Sequence, residues 1–539
     1  MRRRDFLTSL AGSAGLALAT GVRPALGMEH MHHAAGGAPS PQPPHDPSAA
    51  GARKGSLAAS DAIPPGRPFA APATLGNTAA QPGMFRATLV AAPAKIELIP
   101  GVMTQAWAYN GQFPGPLIDL QAGDAVEITL ENRLPEPTTI HWHGLPVPPD
   151  QDGNPDAAVA PGASHTYRFH IPDDVEGLYW YHPHPHGRSG EQVYRGLAGA
   201  IRVRARQDAL SAIPERILAI TDLRLTALGM IPENDMMDWM NGREGQFALV
   251  NGLNRPTLPF DALGRERWHI LNATNARYLR LALPGHDLTL LGTDGGRIEQ
   301  AQTGLSEILV APAQRVELLV TAAGGRGGAL VAETYARGKM GGASETSAIP
   351  LMQVDFSAVR QPRPLSLPQP LRPFQALPKA SARKRVVMSE GMSMAHGSHG
   401  AQAMEHTMSP GGMGMTDMKS MMTDGRPSMM QFMLNGKTFD MRRVDLSSPT
   451  GAWEDWEIVN DSDMDHPFHI HGTQFAVLER MINGRTAREP FRAWYDTVNL
   501  KARETVRIRI MQAAKGIRMF HCHILEHEDL GMMGRLEVI

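Results

Sequence analysis

The sequence predicts an all-β protein of three sandwich- or barrel-like domains, and three observations carry that prediction. Short alternating runs such as Ala125-Val126-Glu127-Ile128-Thr129-Leu130 recur between Gly, Pro and Asn punctuation from about residue 84 onward. Such alternation suits half-buried strands, whose successive side chains point to opposite faces of a sheet. Long stretches of helical periodicity are scarce. The length of 539 residues exceeds one core; at roughly 100–200 residues per domain it suggests about three.

The first 27 residues read as an export signal. Arg3-Arg4-Asp5-Phe6-Leu7 has the form of a twin-arginine motif, a mild apolar stretch follows, and Ala25-Leu26-Gly27 offers a small-residue cleavage site. This predicts handling by the twin-arginine export machinery and delivery to the periplasm. No other apolar run approaches the roughly 18–20 residues that span a bilayer, so stable membrane insertion is not expected. Residues 28–83 are rich in Ala, Pro, Gly and Ser and predict a disordered linker. Met28, His30, Met31, His32 and His33 lie in it, either as a copper-catching tail or as ordinary polar residues.

Strand-like texture divides the remainder into blocks at 84–206, 213–358 and 431–539, with a Pro-rich linker at 359–387. Residues 388–430 form a Met/His-rich insert. Its Gly, Ser, Asp and His argue against a buried methionine core, and a short helix is expected near Thr416–Met422. The insert serves either as a flexible linker and oxidant sink or as a thioether surface for Cu(I).

Charge excludes one class of function. Lys+Arg number 52 and Asp+Glu 54, so nothing suggests a nucleic-acid partner. The 31 Met and 22 His stand out, as does a single Cys, which leaves no internal disulfide. That Cys522 lies in His521-Cys522-His523, with His527 and Met532 just beyond. Three further His-x-His pairs stand out in or beside strand-like runs: His141/His143, His182/His184 and His469/His471, the last preceded by His466. On a strand, residues two apart share a face, so if the two domains that carry them face each other, the eight paired imidazoles are able to converge on one metal cluster. Cys522 then points the other way, where it joins His466, His527 and Met532. Two imidazoles, a thiolate and a weak thioether make a blue-copper electron-transfer site.

These motifs, with Asn110-Gly111-Gln112-Phe113-Pro114-Gly115-Pro116-Leu117-Ile118, resemble the multicopper oxidase family. The resemblance implies three cupredoxin-like Greek-key β-barrel domains, with the first and third supplying a shared metal cluster. It implies four copper ions per chain, O2 as acceptor and a monomer. Type 1 copper would take His466, Cys522, His527 and Met532; type 2 would take His141 and His469. The type 3 pair would take His143, His182, His184, His471, His521 and His523. It also implies proton transfer by Asp152 and Glu528, since reducing O2 to water consumes protons. Asp152 otherwise reads as a turn residue before Gly153.

Within the family the chain is most similar to periplasmic cuprous oxidases, through its signal, its Met-rich insert and its HCHILEHEDLGMM ending. The implied donor is Cu(I) or another small reductant, with a role in copper tolerance. Candidate ligands for a substrate copper are Met464, Asp463, Met415, Asp417, Met418, Met421 and Met422. Where the family pattern has an acid four residues before His466, this chain has Ser462. A laccase-like phenol oxidase and a copper-sequestering resistance protein are the rival readings. A copper nitrite reductase would not need four His-x-His pairs, and the complete ligand set argues against a copper-free envelope factor.

Overall fold

Alternation in the sequence becomes alternation in burial. Ala125–Asn132 buries Val126, Ile128, Leu130 and Asn132 and leaves the residues between them more open, and Thr505–Met511 repeats the pattern. The computed structural model describes residues 55–322, 327–342, 347–360, 365–392, 422–423, 425–427 and 430–539. Residues 51–539 form one compact unit.

Three pairs of sheets fill that unit. Four-on-four sheets lie between Met84 and Arg204, seven- and five-stranded sheets between Glu215 and Asp355, and six- and five-stranded sheets between Ala382 and Val538. One topology repeats. Each opening strand runs parallel to a central one: Met84–Ile99 beside Ala125–Asn132, Glu215–Leu223 beside Arg265–Asn272, Ala382–Met392 beside Trp453–Asn460. Each second sheet holds another parallel pair: Gly115–Gln121 with Gly199–Arg204, Thr257–Pro259 with Ile349–Asp355, Leu446–Ser448 with Met533–Val538. Parallel neighbours cannot be joined by a hairpin, so the chain crosses between sheets, giving the expected three cupredoxin-like barrels.

A local device repeats with the topology. The central strands end in buried Asn132, Asn272 and Asn460. Each amide donates to one carbonyl of the loop ahead and one much farther along the chain: Asn132 to Glu136 and Val159, Asn272 to Arg277 and Val310, Asn460 to Met464 and Leu500. Each Asn Oδ1 accepts the backbone N–H two residues on. In the third domain this pins the loop that leads to His466.

Two boundaries differ from expectation. Residues 55–83, whose composition predicts disorder, lie against the first two domains. Ala58 N–H donates to Leu225 O (2.9 Å) and Leu75 N–H to Leu117 O (2.7 Å), while Ala58, Ile63 and Leu75 are buried. A few spaced apolar residues hold the segment by docking on preformed barrels, which average composition does not register. Ala382–Met392, split in the sequence between linker and insert, is the opening strand of the third domain. Met415, Asp417, Met418 and Met421 lie outside the described residues, as does most of the expected helix. Met422 begins a two-residue strand paired with Arg426–Pro427.

Candidate metal centres

The sheet of the third domain sorts the histidines by face. His466–Ile470 runs antiparallel to Gly516–Cys522, with Phe468 opposite Cys522 and His469 opposite His521. Cys522 joins the hydrophobic core of its barrel, with Phe468 and Met532. His469 and His521 face away from that core, toward the first domain. There His141 lies directly opposite His182 on the paired strands His141–His143 and Gly177–His182, and Trp142 fills the first-domain core. Imidazoles stack across the two domains, His141 on His471 at 3.6 Å and His143 on His469 at 3.8 Å. All twelve residues expected as copper ligands are 0% exposed.

Among the described residues five metal-sized groups result: one joins Asp152 to His141 and His471, and the other four, of His and Cys alone, are His141/His143/His469, His143/His182/His523, His184/His471/His521 and His466/Cys522/His527. Of these four, the first three share one chamber and the last lies across the sheet from it.

The outer hydrogen bonds fix which nitrogens face inward. A carboxylate or carbonyl only accepts, so the ring nitrogen touching it carries the proton and the other keeps its lone pair. His141 Nδ1–H donates to Asp152 Oδ1 (2.9 Å), His469 Nδ1–H to Asp496 O (2.8 Å), and His521 Nδ1–H to Cys522 O (2.9 Å). His182 Nδ1–H donates to Pro183 O (3.0 Å), and His143 Nε2–H to Asp496 Oδ1 (2.9 Å). The freed nitrogens then meet head on: His141 Nε2 lies 3.3 Å from His469 Nε2, and His521 Nε2 lies 3.2 Å from those of His184 and His471. His143 Nδ1, His182 Nε2 and both nitrogens of His523 are buried with no protein partner. Burial first, and then the neighbouring imidazoles, push His143, His184 and His471 well below the usual histidine range. Neutral, inward lone pairs without partners are what metal ions require.

The Cys522 group has the same character. Cys522 Sγ lies 3.4 Å from His466 Nδ1 and 4.0 Å from His527 Nδ1, and those nitrogens are 3.3 Å apart. His527 Nε2–H donates to Met240 O (3.2 Å). Ser462 Oγ donates to Asn460 Oδ1 (2.8 Å), so it accepts from His466 Nε2–H (2.9 Å). Both Nδ1 lone pairs therefore turn to the sulfur. Burial pushes the Cys522 thiol far up, so a bound cation is needed to hold a thiolate there. Met532 is buried in the same core, with its backbone bonded to Cys522 and His527.

Two acids, Asp152 and Glu528, lie beside the histidine chamber. Asp152 also lies 3.6 Å from His471 Nδ1, and Glu528 Oε2 lies 3.2 Å from His521 Nδ1. Burial, then Asp529, raises the Glu528 carboxyl well above the carboxylate range, which favours its protonated form. Asp496 is new. It is 0% exposed, holds His143, and is paired with buried Arg315 at 2.8 and 2.5 Å. Its signal in the sequence is an acid set inside the strand-forming run Tyr495-Asp496-Thr497-Val498.

Of the candidate substrate ligands, only Met464 and Asp463 have described side chains, and these two differ in setting. Met464 is 0% exposed, whereas the Asp463 side chain is 84% exposed and paired with Arg503.

Sequence profiles described as multicopper oxidase match residues 91–208, 225–342 and 409–539. The chain is 30% identical to "Multicopper oxidase mco" of Staphylococcus aureus over 84% of its own length and 88% of that protein's. The solved "Multicopper oxidase from Campylobacter jejuni: a metallo-oxidase" is 42% identical, with TM-score 0.81, over 90% of this chain and 98% of that one. A laccase-like multi-copper oxidase CueO from Ochrobactrum is 27% identical with TM-score 0.71, over 88% of this chain and all of that one (100%). The chain belongs to the multicopper oxidase family. It is a copper-dependent oxidoreductase that passes electrons from a reductant to O2.

Proposed function

We propose that the protein is a cuprous oxidase that serves copper tolerance after twin-arginine export to the periplasm. In this reading it holds four coppers: type 1 at His466, Cys522, His527 and Met532, type 2 at His141 and His469, and the type 3 pair at His143, His182, His523 and at His184, His471, His521. Bound copper would supply one-electron transfer from the donor and four-electron reduction of O2 to two waters.

The chain's own residues do the rest. Cys522 is covalently joined to His521 and His523, a bonded path from the mononuclear group to the histidine chamber. Glu528, in contact with His521, is placed to give a proton to the chamber. Asp152 orients His141 and is the second acid at the chamber. The arginine-held Asp496 fixes His143 and, through its carbonyl, His469.

One observation carries the choice of donor. The end of the Met-rich segment rests on the helix that holds one ligand of the mononuclear group. Trp239 Nε1–H donates to Gly425 O (2.9 Å), and Arg426 lies 5.6 Å from the Trp239 ring. Trp239 belongs to the helix Met236–Asn241 (MMDWMN), whose Met240 carbonyl holds His527. Among the described residues no ligand edge is open to a bulky phenol, since His466 and His527 are 0% exposed and Phe432 stacks on His527 at 3.9 Å. The resemblance to a metallo-oxidase supports the same donor, and the buried ligand edges disfavour a laccase.

The test is oxygen consumption with Cu(I) and with a bulky phenol, by the intact protein and by a form lacking residues 393–421. Cu(I) turnover should fall about tenfold on deletion while phenol turnover holds or rises. Equal loss of both would overturn the reading.

A further inference from the structure

The turn before His466 is clamped by a segment of the second domain. Asp465 N–H donates to Arg337 O (2.8 Å), and Tyr335 Oη–H donates to Asp465 Oδ2 (2.7 Å). Gly338 has φ +77°, and a Cβ there would lie 1.9 Å from Asp463 O. Only glycine permits so close an approach. The clamp carries Arg337 into the interior, 2% exposed, with Nη1 3.2 Å from Met464 Sδ. Nη2 donates to Asn241 O and to Glu244 Oε1, the latter at 2.9 Å.

A thioether sulfur is a weak acceptor and a soft copper ligand through the same lone pairs. The guanidinium occupies the sulfur and brings a positive charge to it. A cuprous ion approaching Met464 would lose that contact and meet a like charge in a buried setting, where repulsion is poorly screened. Glu244 does not cancel Arg337 one for one, because it also pairs with Lys339 (2.8 Å) and Arg277 (3.5 Å). Arg337 thus sits on Met464 and Asp465, the two residues that directly precede His466. A fixed cation beside a redox centre favours its less positive, reduced state.

We propose that Arg337 is a positioning residue of the mononuclear copper site: it closes the Met464 thioether to a substrate cation, and its charge biases the site toward the reduced state. This rests on the reading of His466, Cys522, His527 and Met532 as that site, and on Cu(I) as donor for its first half.

The experiment uses the copper-loaded full chain. The potential is read by anaerobic redox titration of the thiolate–copper absorption, which needs no substrate. Arg337→Met should lower the potential and Arg337→Lys should leave it near the parent's. Glu244→Gln, which removes the acid and keeps the guanidinium, should raise it, and it decides the matter if Arg337→Met fails to fold. The KM for Cu(I) reads the closure. Met464→Leu alone should leave it within about twofold, and Arg337→Met should lower it at least about threefold, an effect lost in the double variant. An unmoved potential in Arg337→Met and Glu244→Gln would overturn the electrostatic half. A KM raised fivefold or more by Met464→Leu alone would overturn the closure. Absence of Cu(I) turnover in every form would instead overturn the proposed donor and with it the closure, leaving the potentials to decide the electrostatic half.

Discussion

Asp496→Asn is the sharpest probe of the scaffold behind the histidine chamber. The substitution keeps shape and removes one charge from a pair in which Arg315 is 1% and Asp496 0% exposed. Breaking such a pair from one side costs about 3–5 kcal/mol, because the remaining charge is buried alone. Asp294 softens the loss. Its Oδ1 lies 3.5 Å from Arg315 Nη1. Burial above all, and the charge of Asp496 against the pull of Arg315, raise its carboxyl to about 7. With Asp496 neutral, Asp294 ionises fully at pH 7 and takes over part of the pairing. The expected loss is therefore about 2 kcal/mol for the single variant and about 4 kcal/mol for Asp294→Asn/Asp496→Asn, which leaves Arg315 with no acid. Urea unfolding of the copper-free protein at pH 7 measures both. A single variant within about 0.5 kcal/mol of the parent, or a double variant no worse than the single, would refute the shared pairing.

Three further outcomes are expected. Glu528→Gln keeps the shape at His521 but gives no proton, so O2 turnover should fall about 10²–10⁴-fold while anaerobic reduction by the donor, followed by rapid mixing, is unchanged. Cys522→Ser should abolish the thiolate absorption and oxidase activity and lower bound copper by one ion per chain, counted by elemental analysis. Glu390 has a buried Oε2 without a partner, and burial, then Asp463 and against Arg503, raises its carboxyl to about 7. A carboxyl raised in the folded state contributes stability that is present below its unfolded pKa and lost as pH rises toward the folded value. Copper-free protein should thus weaken between pH about 4.3 and 7, and Glu390→Gln should recover about 1–2 kcal/mol at pH 8 after discounting its partial exposure. Urea titrations across that range check the sign.

The sequence by itself determined a great deal here, because the chemistry is written in local period. Strand alternation predicted the β class, and residues two apart on a strand share a face, so four His-x-His pairs announced a chamber and His521-Cys522-His523 announced a second group behind it. The shared face of each pair needs no knowledge of how the domains meet; the convergence of the pairs on one chamber does. Tertiary structure decided whatever depends on contact between distant segments. Ser462 bonds His466 Nε2, Asp496 holds His143, and Met240 caps His527. Each pairing crosses a turn, a sheet or a domain boundary that spacing does not encode. The same holds for Met464, which reads as an available thioether two residues before His466. Only the folded chain brings Arg337, 127 positions away, against its sulfur, because the fit of one barrel's loop onto another is set by shape and charge rather than by period.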